Sequence, residues 1–147
     1  MYKVLILSFS LCISYSTYAF NCYITMMKDS CWGDYNVTVN VIDTANGKTI
    51  GTVIVPTSSF WAREKFECAP GQTLQFQATF NPVFWEKDVG KTYSGMSSWA
   101  LPNAVTGRDI AWNINMCFPK QFGAVPFPPE GTNKCDCSTK GIPPITP

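Results

Sequence analysis

The chain of 147 residues carries 11 basic and 10 acidic side chains and no histidine. This charge balance gives no electrostatic footprint for nucleic acid or for an anionic membrane surface. The lack of imidazole excludes Ser-His-Asp and Cys-His nucleophilic centres as well as histidine ligation of a metal. We therefore expect a protein that is not an enzyme, with no catalytic residues, no cofactor and no metal.

The N-terminus has the pattern of a secretory signal peptide. After a short positive start, an apolar run covers residues 4–13, and Thr17 and Ala19 supply small residues before the predicted cleavage site. Because crossing a bilayer takes about 20 apolar residues, a membrane anchor is the weaker interpretation of this run. We predict a signal peptide over residues 1–19, a mature chain that begins at Phe20, and no transmembrane segment after cleavage.

Six cysteines remain in the predicted mature chain, and an even number in an exported protein is typical of a disulfide framework. They are Cys22, Cys31, Cys68, Cys117, Cys135 and Cys137. A bond between Cys135 and Cys137 would close a strained ring, because disulfide geometry places the two Cα atoms roughly 5.5 Å apart. We predict that both cysteines bond to earlier parts of the chain, and which cysteines they join stays open.

The first half of the mature chain shows period-two alternation and no helical stripe. Residues 37–41 alternate valine with polar residues and predict a strand with one buried face. The dipeptide Asn46-Gly47 then indicates a type I′ hairpin, which leads into a second strand over 48–55. A further stretch over 60–68 has the composition of a third strand.

The second half contains two clearer strands separated by an irregular region. Residues 74–80 and 110–118 alternate strictly, whereas 82–107 is punctuated by glycine and proline and predicts long loops with one short strand near 92–100. Six or seven short strands in one domain favour an all-β fold, a single antiparallel β-sandwich over residues 20–118.

An immunoglobulin-type sandwich is one possible topology, because Cys68 and Cys117 fall at predicted strand ends near Trp112. In that fold the tryptophan lies well before the second cysteine, on a central strand. Trp112 is too close to Cys117 for this, so the topology of the sandwich stays unspecified.

Residues 119–147 form a proline-rich segment with seven prolines. Such a segment cannot pair in a central strand or sustain a helix, so we predict an extended, partly polyproline arm. Phe122, Phe127 and the two last cysteines favour an arm whose first half is laid over the domain or over a partner. We expect 141–147 to be free, and a disordered tail is the alternative for the whole segment.

The Cys135-Asp136-Cys137 triplet raises the alternative of a thiol-disulfide redox protein. A reactive thiol needs an electropositive setting that lowers its pKa. Lys134 and Lys140 are near in sequence, but the acidic Asp136 between the sulfurs opposes them. We therefore interpret these two cysteines as structural and keep the redox function as the least favoured reading.

With the enzymatic and redox functions disfavoured, the sequence favours an interaction protein. A neutral, aromatic-rich sandwich with an extended arm is suited to docking into an assembly. The possible partner contacts are Trp85, Trp99, Phe122 and Phe127. The alternative is a free periplasmic or secreted binding module for carbohydrate or a small apolar ligand, with Trp85 and Trp99 as stacking platforms.

One resemblance bears on the assembly. The signal junction Thr-Tyr-Ala followed by Phe20-Asn21-Cys22, together with the cysteine-bearing proline tail, resembles accessory proteins of the outer-membrane core of Dot/Icm type IVB secretion systems. The resemblance implies a periplasmic, non-enzymatic subunit that binds larger outer-membrane proteins in many copies. Its partners would be proteins of the cell envelope.

Overall fold

A computed structural model describes residues 19–132 and 134–146. The predicted signal peptide lies outside the described residues, except for Ala19. Eight strands are present in the described part of the chain. They are β1 Phe20–Lys28, β2 Asn36–Asp43, β3 Thr49–Val55, β4 Trp61–Cys68, β5 Thr73–Asn81, β6 Tyr93–Ser94, β7 Trp99–Ala100 and β8 Trp112–Phe118, with short 3₁₀ turns at Ser30–Trp32 and Glu86–Asp88.

The strands form two sheets, which confirms the sandwich-like all-β prediction. The smaller sheet has the order β4-β1-β8, and the larger one has the order β3-β2-β5-β6 with β7 also paired to β5. All pairs are antiparallel except β1 with β8, which run parallel. The chain reaches β8 only after building the whole larger sheet, and so long a connection permits a parallel neighbour.

Strand β1, which was not among the predicted strands, is central to the smaller sheet. Its residues Cys22, Ile24 and Met26 are fully buried and face the other sheet. From the larger sheet, Val39 and Phe76 point into the same core. The core therefore lies between two sheets that each contribute alternate residues.

The β2–β3 hairpin is confirmed, but the type I′ turn was wrong. Among the described residues Gly47 has φ of 69° while Asn46 does not have a positive φ, and a type I′ turn needs positive φ at both. The carboxylate of Asp43 accepts hydrogen bonds from the backbone N–H of Ala45 and the side chain of Asn46, and the Asp43 carbonyl accepts from Gly47. Asp43 thus organises a longer loop between the strands.

Three disulfides cross-link the fold. They are Cys22–Cys68, Cys31–Cys135 and Cys117–Cys137. The first joins β1 to β4 within one sheet, so Cys68 and Cys117 do not form the bond between sheets that an immunoglobulin-type domain would need.

The irregular region contains two short strands, β6 and β7, where one had been predicted. Both pair with β5, so they widen the larger sheet at its edge. In the described ranges the model contains no helix with the length and apolar character needed to cross a membrane.

Candidate interaction surfaces

Two disulfides hold the proline-rich arm against the sandwich. Cys135 bonds to Cys31, just after β1, and Cys137 bonds to Cys117, near the end of β8, with Cα separations of 5.5 and 6.0 Å. The prediction that both late cysteines are tied to earlier parts of the chain is therefore confirmed. Asp136, which is exposed, therefore lies between two disulfide-bonded cysteines.

The first part of the arm belongs to the sandwich rather than to its surface. The backbone of Phe122 forms a bridge with Gly95, and the N–H of Gly123 donates to the carbonyl of Ser94 over 2.9 Å. The Phe122 side chain is only 4% exposed and packs against Phe118, with ring centroids 5.6 Å apart. Phe122, a possible partner contact from the sequence, therefore lies in the core of the described chain, because this turn folds its ring inward.

The middle of the arm is anchored to one end of the sandwich. The Tyr35 hydroxyl donates a 2.9 Å hydrogen bond to Glu130 Oε2. Burial, with the hydrogen bond and charge of Glu130, raises the pKa of Tyr35 to about 12. Phe127 is 58% exposed, and its ring lies so close to Gly131 that a Cβ there would collide with it. Phe127 is thus a surface side chain on a segment that the Tyr35–Glu130 hydrogen bond fixes to the sandwich.

A cluster of aromatic rings fills this end of the sandwich, and we refer to it as the aromatic end. Its members are Trp32, Tyr35, Phe80, Phe84, Tyr93, Phe118 and Phe122. Trp32 is fully buried and has its ring 4.8 Å from Phe80 and 4.7 Å from Phe118. Such edge-on ring pairs add to the free energy of burial and fix the side chains in place.

Trp85 and Trp99 do not form one platform. Trp85 is 52% exposed and packs edge-on against Phe84, at the aromatic end. Trp99 is half-buried in β7, opposite Leu74 at the other end of β5. Leu74 and Phe80 are six residues apart on one strand, so their Cα atoms are about 20 Å apart, and the two tryptophans lie towards opposite ends of β5.

The last described residues of the arm, up to residue 146, lie along the outer face of the smaller sheet, although 141–147 had been expected to be free, and Pro147 lies outside the described residues. Thr25 and Met27 point away from the core, yet Thr25 is fully buried and Met27 nearly so. Ile142 and Pro143 border a cleft of about 240 Å³ together with Met27. Ile145 lies further along the same face and is half-buried.

Lys28 is a buried charge that the sequence analysis did not single out. Its side chain is 1% exposed, and Nζ donates to the carbonyls of Tyr35, Pro56 and Gly33 over 2.7, 2.8 and 3.2 Å. Burial lowers its pKa to about 8, and the charge of Asp34 acts in the opposite direction. Three carbonyls use the three donors of the ammonium group, so Lys28 joins the β1–β2 and β3–β4 connections and has no donor left for a ligand.

A carboxylate and two sulfurs come together beside the arm. Asp29, Cys31 and Cys135 have potential ligand atoms within 4.8 Å of one another. Both sulfurs belong to one disulfide, whereas metals bind the thiolate. Asp29 instead accepts the backbone N–H of Cys31 over 2.9 Å, and burial raises its pKa. A redox function of Cys135 and Cys137 would likewise require that two separate disulfides be reduced.

No protein family model, no curated protein and no solved structure matches this chain. Fold and covalent framework define its class: an all-β, sandwich-like protein with three disulfides. Such a framework is typical of a protein that matures outside the reducing cytoplasm.

Proposed function

We propose that this chain is a non-enzymatic, exported interaction protein and serves as an accessory subunit of a cell-envelope secretion complex in the periplasm. The observation that carries the proposal is the exposure of large apolar side chains on two segments that are attached to the aromatic end. Trp85, Val89 and Phe127 are 52, 69 and 58% exposed. We refer to these three residues as the apolar surface.

The apolar surface has a rigid support, which separates it from incidental exposure. Trp85 packs on Phe84, Phe84 packs on Tyr35 at 5.7 Å, and Tyr35 is hydrogen-bonded to Glu130 in the segment that carries Phe127. Exposed aromatic side chains that lose little conformational entropy on binding are typical of protein interfaces. The resemblance of the signal junction and tail to Dot/Icm accessory proteins supports an envelope complex as the partner.

Affinity purification from solubilised envelopes tests this function. The tagged chain should recover a stoichiometric large complex, and the variants W85A and F127A should each recover about ten-fold less of it. Ile54→Ala is the matched control, because Ile54 is similarly exposed but lies on β3 of the larger sheet. Equal recovery by all variants, or a monomer alone, would contradict the proposal.

A free carbohydrate or small-ligand binder is the second candidate, and the exposed ring of Trp85 is the observation in its favour. A sugar-stacking platform needs rings on one surface, and the separation of Trp85 from Trp99 weighs against a shared platform. Glycan arrays read out by tryptophan fluorescence distinguish the two. A saturable shift that W85A abolishes would favour the binder over the subunit.

A further inference from the structure

The tail after Cys137 is held on the outer face without hydrogen bonds to the sheet among the described residues. Its hydrogen bonds are internal: Lys140 N–H donates to Ser138 Oγ and Ile142 N–H donates to the carbonyl of Thr139, both over 3.2 Å. The attachment therefore consists of the disulfide at Cys137 and of side-chain contacts. A segment held in this way is easier to displace than a paired strand.

The tail covers the outer face but does not fill the space on it. Three clefts follow one another along it, of about 320, 240 and 330 Å³. The first is bordered by Ser138 and Lys140, the second by Ile142, and the third by Ile145. Each cleft is bordered by the arm and by residues of β1 and β4, and we refer to the three together as the outer groove.

The walls of the outer groove combine aromatic rings with hydrogen-bond donors. Phe60 and Trp61 border its first cleft, and Tyr23 borders its last. Between them, Arg63 Nε donates to Thr25 Oγ1 over 2.8 Å, and its guanidinium group lies 5.9 Å from the Trp61 ring. The other N–H groups of the guanidinium have no hydrogen-bond acceptor among the described residues, so they can donate to carbonyl oxygens of a docked segment.

This chemistry suits an extended proline-containing segment. A polyproline helix makes no internal hydrogen bonds, so its carbonyls need external donors, and its rings pack well in aromatic-lined grooves. The tail itself presents Ile142-Pro143-Pro144-Ile145, in which the two isoleucines are half-buried and the two prolines exposed. It thus shows which pattern the groove accepts.

We propose that the outer groove is the docking site for an extended segment of a partner protein with the pattern apolar-Pro-Pro-apolar, and that the tail occupies this site in the unbound protein. The proposal rests on the function above, in which the partner is a protein. The tethered tail competes at an effective concentration in the millimolar range, so the partner segment binds only when it outcompetes the tail.

A labelled peptide with the sequence of residues 138–146 tests the proposal by fluorescence anisotropy on the full-length, oxidised chain. The double variant I142D/I145D should release the tail and bind this peptide about ten-fold more tightly than the wild type does. The matched control is Val105→Asp, which adds charge at an exposed apolar position that lies outside the tail and borders none of the three clefts. It should behave like the wild type.

One further variant and one altered peptide locate the binding site. Adding Arg63→Met to I142D/I145D should abolish the gain, and a peptide with aspartate in place of both isoleucines should not bind. Circular dichroism and a count of free thiols confirm that each variant is folded with three disulfides. A folded I142D/I145D that does not bind the peptide, or a wild type that binds it equally well, would overturn the proposal.

Light scattering separates a foreign partner from a second copy. A concentration-dependent dimer of the wild type that I142D/I145D abolishes would assign the groove to the tail of another copy and overturn the partner proposal. Peptide binding does not depend on Trp85 or Phe127, so it can fail while capture of envelope partners succeeds, and the reverse also holds.

Discussion

The ammonium nitrogen of Lys28 donates a 2.7 Å hydrogen bond to the backbone carbonyl of Tyr35. The same nitrogen reaches Pro56 in the connection between the two sheets and Gly33 beside the 3₁₀ turn. One side chain thus ties the end of β1 to two loops that precede and follow β2 and β3. The aromatic end depends on this arrangement, because Tyr35 in turn holds the arm through Glu130.

Replacing Lys28 by methionine should lower the free energy of unfolding by about 2 to 4 kcal/mol, because the buried carbonyl of Tyr35 and the partly buried carbonyls of Gly33 and Pro56 lose their donor. Urea denaturation of the oxidised protein measures this change. Lys48→Met is the control, since Lys48 is exposed in the β2–β3 loop, and its effect should stay within about 0.5 kcal/mol. Equal stability of K28M and K48M would show that the three hydrogen bonds contribute no net stability.

Lys28 should also make stability depend on pH in the alkaline range. Burial lowers its pKa from the ordinary 10.5 to about 8, so between these values the unfolded chain binds more protons at this site than the folded one. Stability of the wild type relative to K28M should therefore rise as the pH rises from about 8 towards 10, and should be flat below about 7. A difference that falls with pH in that range would contradict the lowered pKa.

The two disulfides of the arm should differ in how much they contribute to the free energy of unfolding. Cys31–Cys135 spans 104 residues and Cys117–Cys137 spans 20. Since a longer loop restricts the unfolded chain more, C31S/C135S should lose about 1 kcal/mol more stability than C117S/C137S. Guanidinium denaturation of both double variants measures the difference, and the reverse order would show that local packing outweighs loop entropy.

The strands that could be predicted from the sequence are those with one face exposed to solvent. β2, β5 and β8 alternate cleanly because their outward residues meet water, and each was predicted from that alternation. β1 lacks the signal at its end, where Met26 and Met27 are both buried, one in the core and one beneath the tail. A strand covered on both faces by distant segments loses the alternation that reveals it.

The surfaces were harder to predict, because burial of the arm depends on contacts with distant residues. Phe122 and Phe127 stand in similar proline- and glycine-rich surroundings, and only the pairing of the arm with residues 94–96 buries the first. From the sequence alone Lys28 would be predicted to be exposed, because none of its three hydrogen-bond acceptors is adjacent to it in the chain. Trp85 is the predicted contact residue that the structure exposes together with Phe127.

Phe122 and Phe127 provide a matched test of the difference between a buried and an exposed phenylalanine of the arm. Phe122→Ala should lower the free energy of unfolding by about 3 to 5 kcal/mol, because it leaves a cavity beside Phe118. Phe127→Ala should cost about 1 kcal/mol or less, since most of its ring is already exposed. Thermal denaturation followed by circular dichroism measures both, and similar losses would show that Phe127 also belongs to the core.

The hydrogen bond between Tyr35 and Glu130 should couple the arm to the aromatic end. A double-mutant cycle with Tyr35→Phe and Glu130→Ala should give a coupling free energy of about 0.5 to 1.5 kcal/mol.

Glu130→Ala alone should also lower the pKa of Tyr35 from about 12, because it removes an acceptor and a negative charge that both favour the protonated phenol. Ultraviolet titration of tyrosinate absorbance detects this shift, with Glu67→Ala as the control at an exposed position on β4. A coupling free energy near zero with an unchanged tyrosine titration would mean that the arm is held at this end by its disulfides and apolar contacts alone.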